Sequence, residues 1–373
     1  MKLYIIAGEA SGDLHGSNLV KALKKQETSI ELRAWGGDLM QKAGANVVKH
    51  IRDLAFMGFV EVLLNLPTIL RNIKFCKRDI EEFQPDAIVL IDYPGFNLRM
   101  AKWAKKKGIK VLYYISPQIW AWNQKRGWGI KKNVDELFAI LPFEKEFYKK
   151  FDFDVHFVGH PLLDAIKDYK NLKPDFNEFC AKNKLPQKPI IALLPGSRKQ
   201  EVNKMLPIFL NVVDKFKDYQ FVLAGAPALE LDFYQPFLTK QNVSIIEGKT
   251  YDLLMQSKAA LVSSGTATLE TALLRVPEIV CYKASPISVA IARMLIKVKF
   301  ISLVNLIMDK EIVKELIQSD LNNKGLSNEL DSILHDENYR NQMLENYDQL
   351  IEKLGGDGAS DLTAKLMLKT LKG

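Results

Sequence analysis

One pattern constrains the fold of this chain more than any other. Ile191-Ala-Leu-Leu-Pro-Gly-Ser-Arg-Lys-Gln-Glu201 and Leu261-Val-Ser-Ser-Gly-Thr-Ala-Thr-Leu-Glu270 each run from an apolar strand, through a short loop of Gly, Ser or Thr, into a helix. Strands joined by helices lie parallel, so such a chain builds doubly wound sheets. The strand-to-helix junction leaves backbone N–H groups without intrahelical partners, which suits a phosphate. Gly196 and Gly265 allow close backbone approach, and Arg198 adds a fixed cation with planar donors. Glu270 lies about one to two turns into the second helix, within reach of a ribose hydroxyl. Either loop alone reads equally well as a turn capped by its own hydroxyls. The pair, with Arg198, favours a nucleotide diphosphate site.

The first half has the same design. Lys2–Ala7 is a buried-type strand, Gly8-Glu-Ala-Ser-Gly-Asp-Leu-His-Gly16 its loop, and Leu19–Lys25 the expected helix. The glycines are four apart, so this is not the dinucleotide fingerprint, and Ser11 is out of register for a nucleophile elbow. What remains is a glycine-rich loop at the carboxyl end of a first strand, where open α/β sheets bind ligands. Further strands are expected at Glu31–Trp35, Pro85–Ile91, Lys110–Ile115, Glu136–Ile140 and Val155–Val158. In the second half they fall at 189–194, Gln220–Ala224, Val243–Ile246, Ala259–Val262 and Glu278–Tyr282, and amphipathic helix follows from Glu311. Pro85–Ile91 delivers Asp92-Tyr-Pro-Gly-Phe-Asn97 to its carboxyl end, where Asp92 is placed either for chemistry or to cap a helix starting near Asn97.

With 373 residues the chain has room for two cores. A net charge of +8 favours anionic partners without choosing among nucleic acid, phosphorylated metabolites and an anionic membrane face. Cys76, Cys180 and Cys281 lack the spacing of a zinc site or disulfide framework, which suits a reducing cytoplasm. Glu9 and Asp13 follow the short apolar start at once, so it reads as a strand and not a signal peptide. No apolar run is long enough for a transmembrane helix. Trp120, Trp122 and Trp128 mix with Lys125, Arg126, Lys131 and Lys132, which suits single-stranded nucleic acid, a sugar phosphate or a membrane interface. Leu54–Leu70 and Ser285–Leu303 are apolar with cations beside or among them, and read as core helices or as lipid contacts. Asp152-Phe-Asp154 has the spacing of a metal-binding pair but enters a strand, the wrong end for a site, so no metal is expected.

Seven strings occur in order: Ser11-Gly-Asp-x-x-Gly16, Asp92-x-Pro-x-Phe-Asn97, Ser116-Pro-Gln-x-Trp-Ala-Trp122, Leu141-Pro-Phe-Glu144, Gly159-His-Pro-Leu162, Leu194-Pro-Gly-Ser-Arg198 with Glu201, and Ser264-Gly-Thr-Ala-Thr-Leu-Glu270. Together they resemble the lipid-A-disaccharide synthases over nearly the whole chain. The resemblance implies a GT-B fold, α/β with two doubly wound Rossmann-like domains facing across a cleft. It implies transfer of diacylglucosamine from UDP-2,3-diacylglucosamine to 2,3-diacylglucosamine 1-phosphate, with inversion, no metal and no cofactor. Carried onto these positions, Asp92 is the base and His15 a second candidate. Ser11, Asp13, Asn97, Gln118, Trp120 and Arg126 contact substrate, while Gly196, Ser197, Arg198, Glu201, Ser264, Gly265, Thr266 and Glu270 hold UDP. Acylated substrates imply a cytoplasmic enzyme, peripheral on the cytoplasmic face of the inner membrane, with no nucleic acid partner and a homodimer left open. Two departures stand out: Val304 where a Pro is expected before Asn305, and Glu278 where an apolar residue is commoner.

The expected division is an N-terminal domain at 1–165 for acceptor and lipid, a Lys-rich linker at 166–188, a UDP-sugar domain at 189–345, and a terminal helix at 346–373 packing back on an N-terminal domain. The nearest rival is another GT-B enzyme, a UDP-GlcNAc transferase or a UDP-sugar epimerase. A hydrophilic acceptor would leave the two apolar-basic stretches without a role. The remoter rival is a non-catalytic nucleic-acid-binding protein.

Overall fold

In the computed structural model, which describes residues 1–54, 66–170, 175–227, 229–239, 242–284 and 299–373, the apolar runs form two parallel sheets. The first contains β1 (Lys2–Ala7), β2 (Glu31–Gly36), β3 (Asn46–His50), β4 (Ala87–Ile91), β5 (Lys110–Tyr114), β6 (Glu136–Ala139) and β7 (His156–Phe157), in the order β3-β2-β1-β4-β5-β6-β7. The second contains β8 (Ile190–Leu194), β9 (Gln220–Gly225), β10 (Val243–Glu247), β11 (Ser257–Ser263), β12 (Glu278–Tyr282) and β13 (Lys314–Ile317), in the order β10-β9-β8-β11-β12-β13. Both orders reverse direction once, between β1 and β4 and between β8 and β11. Loops diverge there and leave a crevice at the carboxyl ends.

Register places the candidate loops at these two points. Ala7 pairs with Ile91, so Gly8 and Asp92 leave the first sheet level with one another. Leu194 pairs with Val262, which brings Pro195-Gly196 beside Ser263-Ser264. The central strands β4 and β8 are buried throughout because helices cover both faces of a parallel sheet.

Three expectations need correction. The first helix is Ala10–Gln26 and begins straight after Gly8-Glu9, so Gly12 and Gly16 are helical and not in a loop. A Cβ at Gly16 would lie 2.7 Å from Met40 Sδ, and one at Gly12 would lie 3.1 Å from Ala7 Cβ. These glycines let the helix pack close to its surroundings. Strand β13 falls where continuous helix was expected, and β3 was not anticipated at all. Both are edge strands carrying charged residues, so neither shows the apolar run that marks a central strand.

The chain divides into two units, Met1–Ala165 with Leu354–Gly373, and Ile166–Lys353. The last helix, Ala359–Lys372, belongs to the first unit. Asp164 accepts from Gly358 N (2.7 Å) and Ser360 N (2.8 Å) at its start, and Gln26 Nε2 donates to Asp361 O (2.9 Å). Helix Glu337–Lys353 falls within the second unit. The segment expected to be a linker carries helix Phe176–Lys182, capped by Asp175. Most of the two apolar-basic stretches, residues 55–65 and 285–298, lies outside the described residues. Among the described residues no helix is long and apolar enough to cross a membrane.

Glu278 opens β12 fully buried, and among the described residues neither carboxylate oxygen has a hydrogen-bond partner. Burial holds its carboxyl well above the usual range. A folded pKa above the unfolded one means little penalty below the unfolded value and a growing one as pH rises past it. Glu278→Met keeps the volume and removes the acid, so it is expected to stabilise the protein by about 1–3 kcal/mol at pH 8. The gain should shrink toward pH 5. Thermal unfolding of both proteins across that range checks it.

Candidate active site

In the first unit the site is built around the turn after β4. Asp92 and Tyr93 both adopt left-handed backbone, with φ of 41° and 49°. Two such non-glycine residues in succession cost about 1–3 kcal/mol each and persist only where the surroundings impose them. Those surroundings are identifiable. Asp92 N donates to Tyr114 O (3.1 Å), while Asp92 O accepts from Tyr113 Oη (2.6 Å) and Asn97 Nδ2 (2.8 Å). The Tyr93 ring stacks on Phe96 and lies over Gly8, where any Cβ would come within 2.3 Å of it. Helix Pro94–Lys106 then carries the chain away.

The Asp92 carboxylate plays little part in holding this turn, its one hydrogen bond among the described residues coming from the Tyr93 backbone. Among the described residues no side chain donates a hydrogen bond to its carboxylate. Its pKa is pushed up to about 7, first by burial and then by the negative charge of Glu9, against a hydrogen bond from the Tyr93 backbone. A carboxylate titrating near neutrality is a far better proton acceptor than an ordinary one. Glu9 was not among the expected site residues. Its signal was plain, an acid directly after the glycine that follows β1.

Several expected substrate contacts instead support this turn or the core. Asn97 is fully buried and donates to Ile6 O, Ile91 O and Asp92 O, pinning β1 to β4 at the switch point. Asp13 is buried and accepts from Gly37 N (2.7 Å), Met40 N (3.0 Å) and Leu39 N (3.1 Å), capping helix Asp38–Lys42. Trp120 is turned inward against Phe143. All three were expected at substrate from motif position alone, which does not show which way a side chain points. Ser11 and Gln118 are exposed, and Arg126 is half-buried over the Trp122 ring at 4.7 Å.

His15 is the weaker base. It is buried, edge-on to His160 at 6.5 Å between ring centroids. Burial lowers its pKa to about 4 against the opposing pull of Asp164. It is therefore neutral and weakly basic at pH 7. Asp152, of the D-x-D pair, is at the surface and paired with Lys131 at 2.8 Å.

In the second unit the loop after β8 is already occupied by a carboxylate of the chain itself. Glu201 Oε2 accepts from Ser197 N (3.0 Å) and Arg198 N (3.3 Å), and Arg198 Nη1 lies 3.5 Å from Oε1. Gly196, at φ 120°, leaves the space this needs, since a Cβ there would lie 2.6 Å from Glu201 Oε2. Glu201 was expected at UDP; here its carboxylate caps the loop's own backbone N–H groups. The loop after β11 is more open. Gly265 and Thr266 are exposed, a Cβ at Gly265 meets nothing, and helix Thr266–Leu273 follows. Ser264 Oγ donates to Ile301 O (3.1 Å). Glu270 is half-buried, accepts from Tyr251 Oη (2.8 Å), and has its carboxyl raised by burial.

Two Rossmann-like parallel sheets, each with its loops at the switch point, define a GT-B-type protein. The same architecture occurs in a UDP-GlcNAc 2-epimerase from Neisseria meningitidis, solved bound to UDP-GlcNAc, at TM-score 0.70 and 16% identity over 99% of this chain and 100% of that one. It occurs also in a calicheamicin glycosyltransferase, at TM-score 0.61 and 16% identity over 100% and 99%. A family model described as lipid-A-disaccharide synthetase matches residues 3–369. The lipid-A-disaccharide synthase of Syntrophus aciditrophicus (strain SB) is 41% identical over 375 residues, covering 99% of this chain and 97% of the relative. That of Coxiella burnetii (strain Dugway 5J108-111) is 39% identical over 368 residues, covering 97% and 96%. The chain belongs to the lipid-A-disaccharide synthase family and is a glycosyltransferase.

Proposed function

We propose that this chain transfers 2,3-diacylglucosamine from UDP-2,3-diacylglucosamine to the 6-hydroxyl of 2,3-diacylglucosamine 1-phosphate. The products are a β-1,6-linked disaccharide 1-phosphate and UDP. The acceptor oxygen forms a bond to the anomeric carbon as the bond to the diphosphate breaks. The hydroxyl proton passes to the Asp92 carboxylate, and the departing electron pair stays on UDP. A single displacement of this kind inverts the anomeric centre, as in inverting glycoside hydrolysis with a sugar hydroxyl in place of water.

The observation that carries this reading is Asp92, held by a strained turn with its pKa near 7 and its carboxylate free of side-chain donors. Arg198, the 196–198 loop and the N-terminus of helix Thr266–Leu273 offer positive potential for the charge growing on the diphosphate. Glu270 is within the second unit's candidate site to hold the ribose. The apolar-basic stretches Leu54–Leu70 and Ser285–Leu303 give the sequence means to collect acylated substrates from an anionic surface, on the cytoplasmic face of the inner membrane.

The test is UDP release from UDP-2,3-diacylglucosamine, in EDTA, with and without 2,3-diacylglucosamine 1-phosphate. Release that depends on acceptor is the expected result. Release without acceptor, or turnover only of UDP-N-acetylglucosamine, would move the protein to a hydrolase, an epimerase or a transferase with a hydrophilic acceptor.

A further inference from the structure

A cavity of about 470 Å³ in the first unit carries charge that the chemistry above leaves unused. It lies between helix Pro94–Lys106, which starts two residues after Asp92, and helix Arg126–Asn133. Arg99, Lys102, Lys125 and Arg126 line it with Asn123 and Asn133, and no carboxylate does. Among the described residues none of the four cations is ion-paired. Elsewhere on the same helices Lys105 is paired with Asp135 and Lys131 with Asp152, while Lys106 and Lys132 have no ion pair among the described residues. The cavity is also open. Gly95 and Gly129 line it, and a Cβ at either would meet nothing within 4 Å.

Another cavity, in the second unit, shows the contrast. Its charges are mixed, with Lys314 paired to Glu311 and Tyr339 bonded to Glu329, so it makes no demand for a counterion. Arg99, Lys102 and Lys125 are exposed and Arg126 is half-buried, so the four cations give the cavity wall a positive potential that favours an anion. Two guanidinium groups favour phosphate oxygens, which match their planar fork, and two ammonium groups add point charge. One face of Arg126 is already held against Trp122, so its orientation is partly set before a ligand arrives.

We infer that this cavity takes a phosphate monoester, the 1-phosphate of the acceptor sugar. The inference rests on the function proposed above, which puts the acceptor hydroxyl at Asp92. The donor's diphosphate has its own candidate loops in the second unit. A phosphate on this cavity would hold the acceptor by the helix that Asp92 precedes and distinguish it from the same sugar without phosphate. The other source of such a group is an anionic lipid headgroup at a membrane surface.

The experiment compares wild type with Arg99→Gln/Lys102→Gln. Three readings are taken: tryptophan fluorescence during titration with glucosamine 1-phosphate at low salt, steady-state KM for acceptor and donor in neutral detergent micelles, and co-sedimentation with phosphatidylglycerol vesicles. Wild type should show saturable binding of the sugar phosphate, and the variant should bind about 10- to 100-fold more weakly. Its acceptor KM should rise by a similar factor while donor KM and thermal stability hold. The acceptor lacking its phosphate should serve both proteins equally poorly. Unchanged sugar-phosphate binding and acceptor KM would overturn the inference. A loss confined to phosphatidylglycerol vesicles would overturn it in favour of the headgroup. Should wild type fail to use the acceptor at all, the proposed function falls, and the fluorescence titration still decides whether the cavity binds a phosphate monoester.

Discussion

Asp92→Asn is expected to lower acceptor-dependent UDP release by about 10³-fold, a typical loss for a positioned general base. Donor binding, measured by UDP-sugar titration, should be unchanged, because the donor's candidate loops belong to the second unit. The asparagine fits the same turn, since the side chains that hold Asp92 bind its backbone, and the hydrogen bond its carboxylate takes from the Tyr93 backbone can pass to the amide oxygen. The pH dependence is the more specific part. With the carboxyl pushed up to about 7, kcat/KM in wild type should rise with pH up to that value and level off above it. Stability should move the other way. The folded pKa exceeds the unfolded one, so Asp92 destabilises the first unit increasingly as pH climbs from about 4 to 7. Asp92→Asn should then be more stable than wild type by about 1–3 kcal/mol at pH 8, allowing for partial exposure, and no more stable at pH 4. A variant both inactive and stabilised at high pH fits a base kept in a costly environment. If Asp92→Asn retains more than a tenth of the activity, or the rising limb of the profile persists in it, the base is another group. His15→Gln is the control: with its imidazole neutral and weakly basic, its loss should not remove that limb.

What could be read from the sequence was set by burial. Central strands of a parallel sheet are covered on both faces, so β1, β4, β8 and β11 show as apolar runs and the loops after them are placed by elimination. Edge strands carry no such mark. Lys314–Ile317 and Asn46–His50 are mostly half-buried and interrupt their apolar residues with charged ones, Glu315 being held by Ile301 N and Ser302 N, and Lys-Glu-Leu-Ile suits an amphipathic helix as well as a strand. At the site, motif strings locate residues that matter without separating those that touch substrate from those that hold the backbone. Asp13 and Asn97 face inward onto backbone groups. Their partners, Gly37 and Ile6, are 24 and 91 residues away in the chain, a separation that no local pattern encodes. Glycine spacing misleads for the same reason. Gly12 and Gly16 read as loop because their need is tertiary, the close approach of Ala7 and Met40. The Asp92 environment was half legible. A carboxylate at a strand end was visible, but the left-handed pair and the nearby Glu9 charge depend on Tyr113, Asn97 and Gly8 meeting it in space.

Arg198→Ala is expected to raise the donor's KM by about 30- to 100-fold, the loss of a charge-assisted contact to phosphate worth about 2–3 kcal/mol. It should also lower kcat, because charge on the diphosphate grows as the glycosidic bond breaks. Glu201 makes the sign of its own substitution informative. Its carboxylate accepts from Ser197 N and Arg198 N, the donors a diphosphate would use, and lies near the Arg198 guanidinium. If a diphosphate binds this loop, Glu201 must release those donors first. Glu201→Gln keeps an oxygen that can accept from Ser197 N, so the loop stays ordered, but it removes a like charge from beside the phosphates. UDP should then bind about 3- to 10-fold more tightly, with the difference shrinking as salt is raised. Isothermal titration of UDP against the two variants separates the alternatives. Weakening in Arg198→Ala with tightening in Glu201→Gln means that the loop cradles the diphosphate and the carboxylate holds its place when it is absent. Weakening in both means that Glu201 supports the bound state, by ordering the loop or by contacting the nucleotide. No change in either would remove the diphosphate from this loop and leave the loop after β11 to carry it.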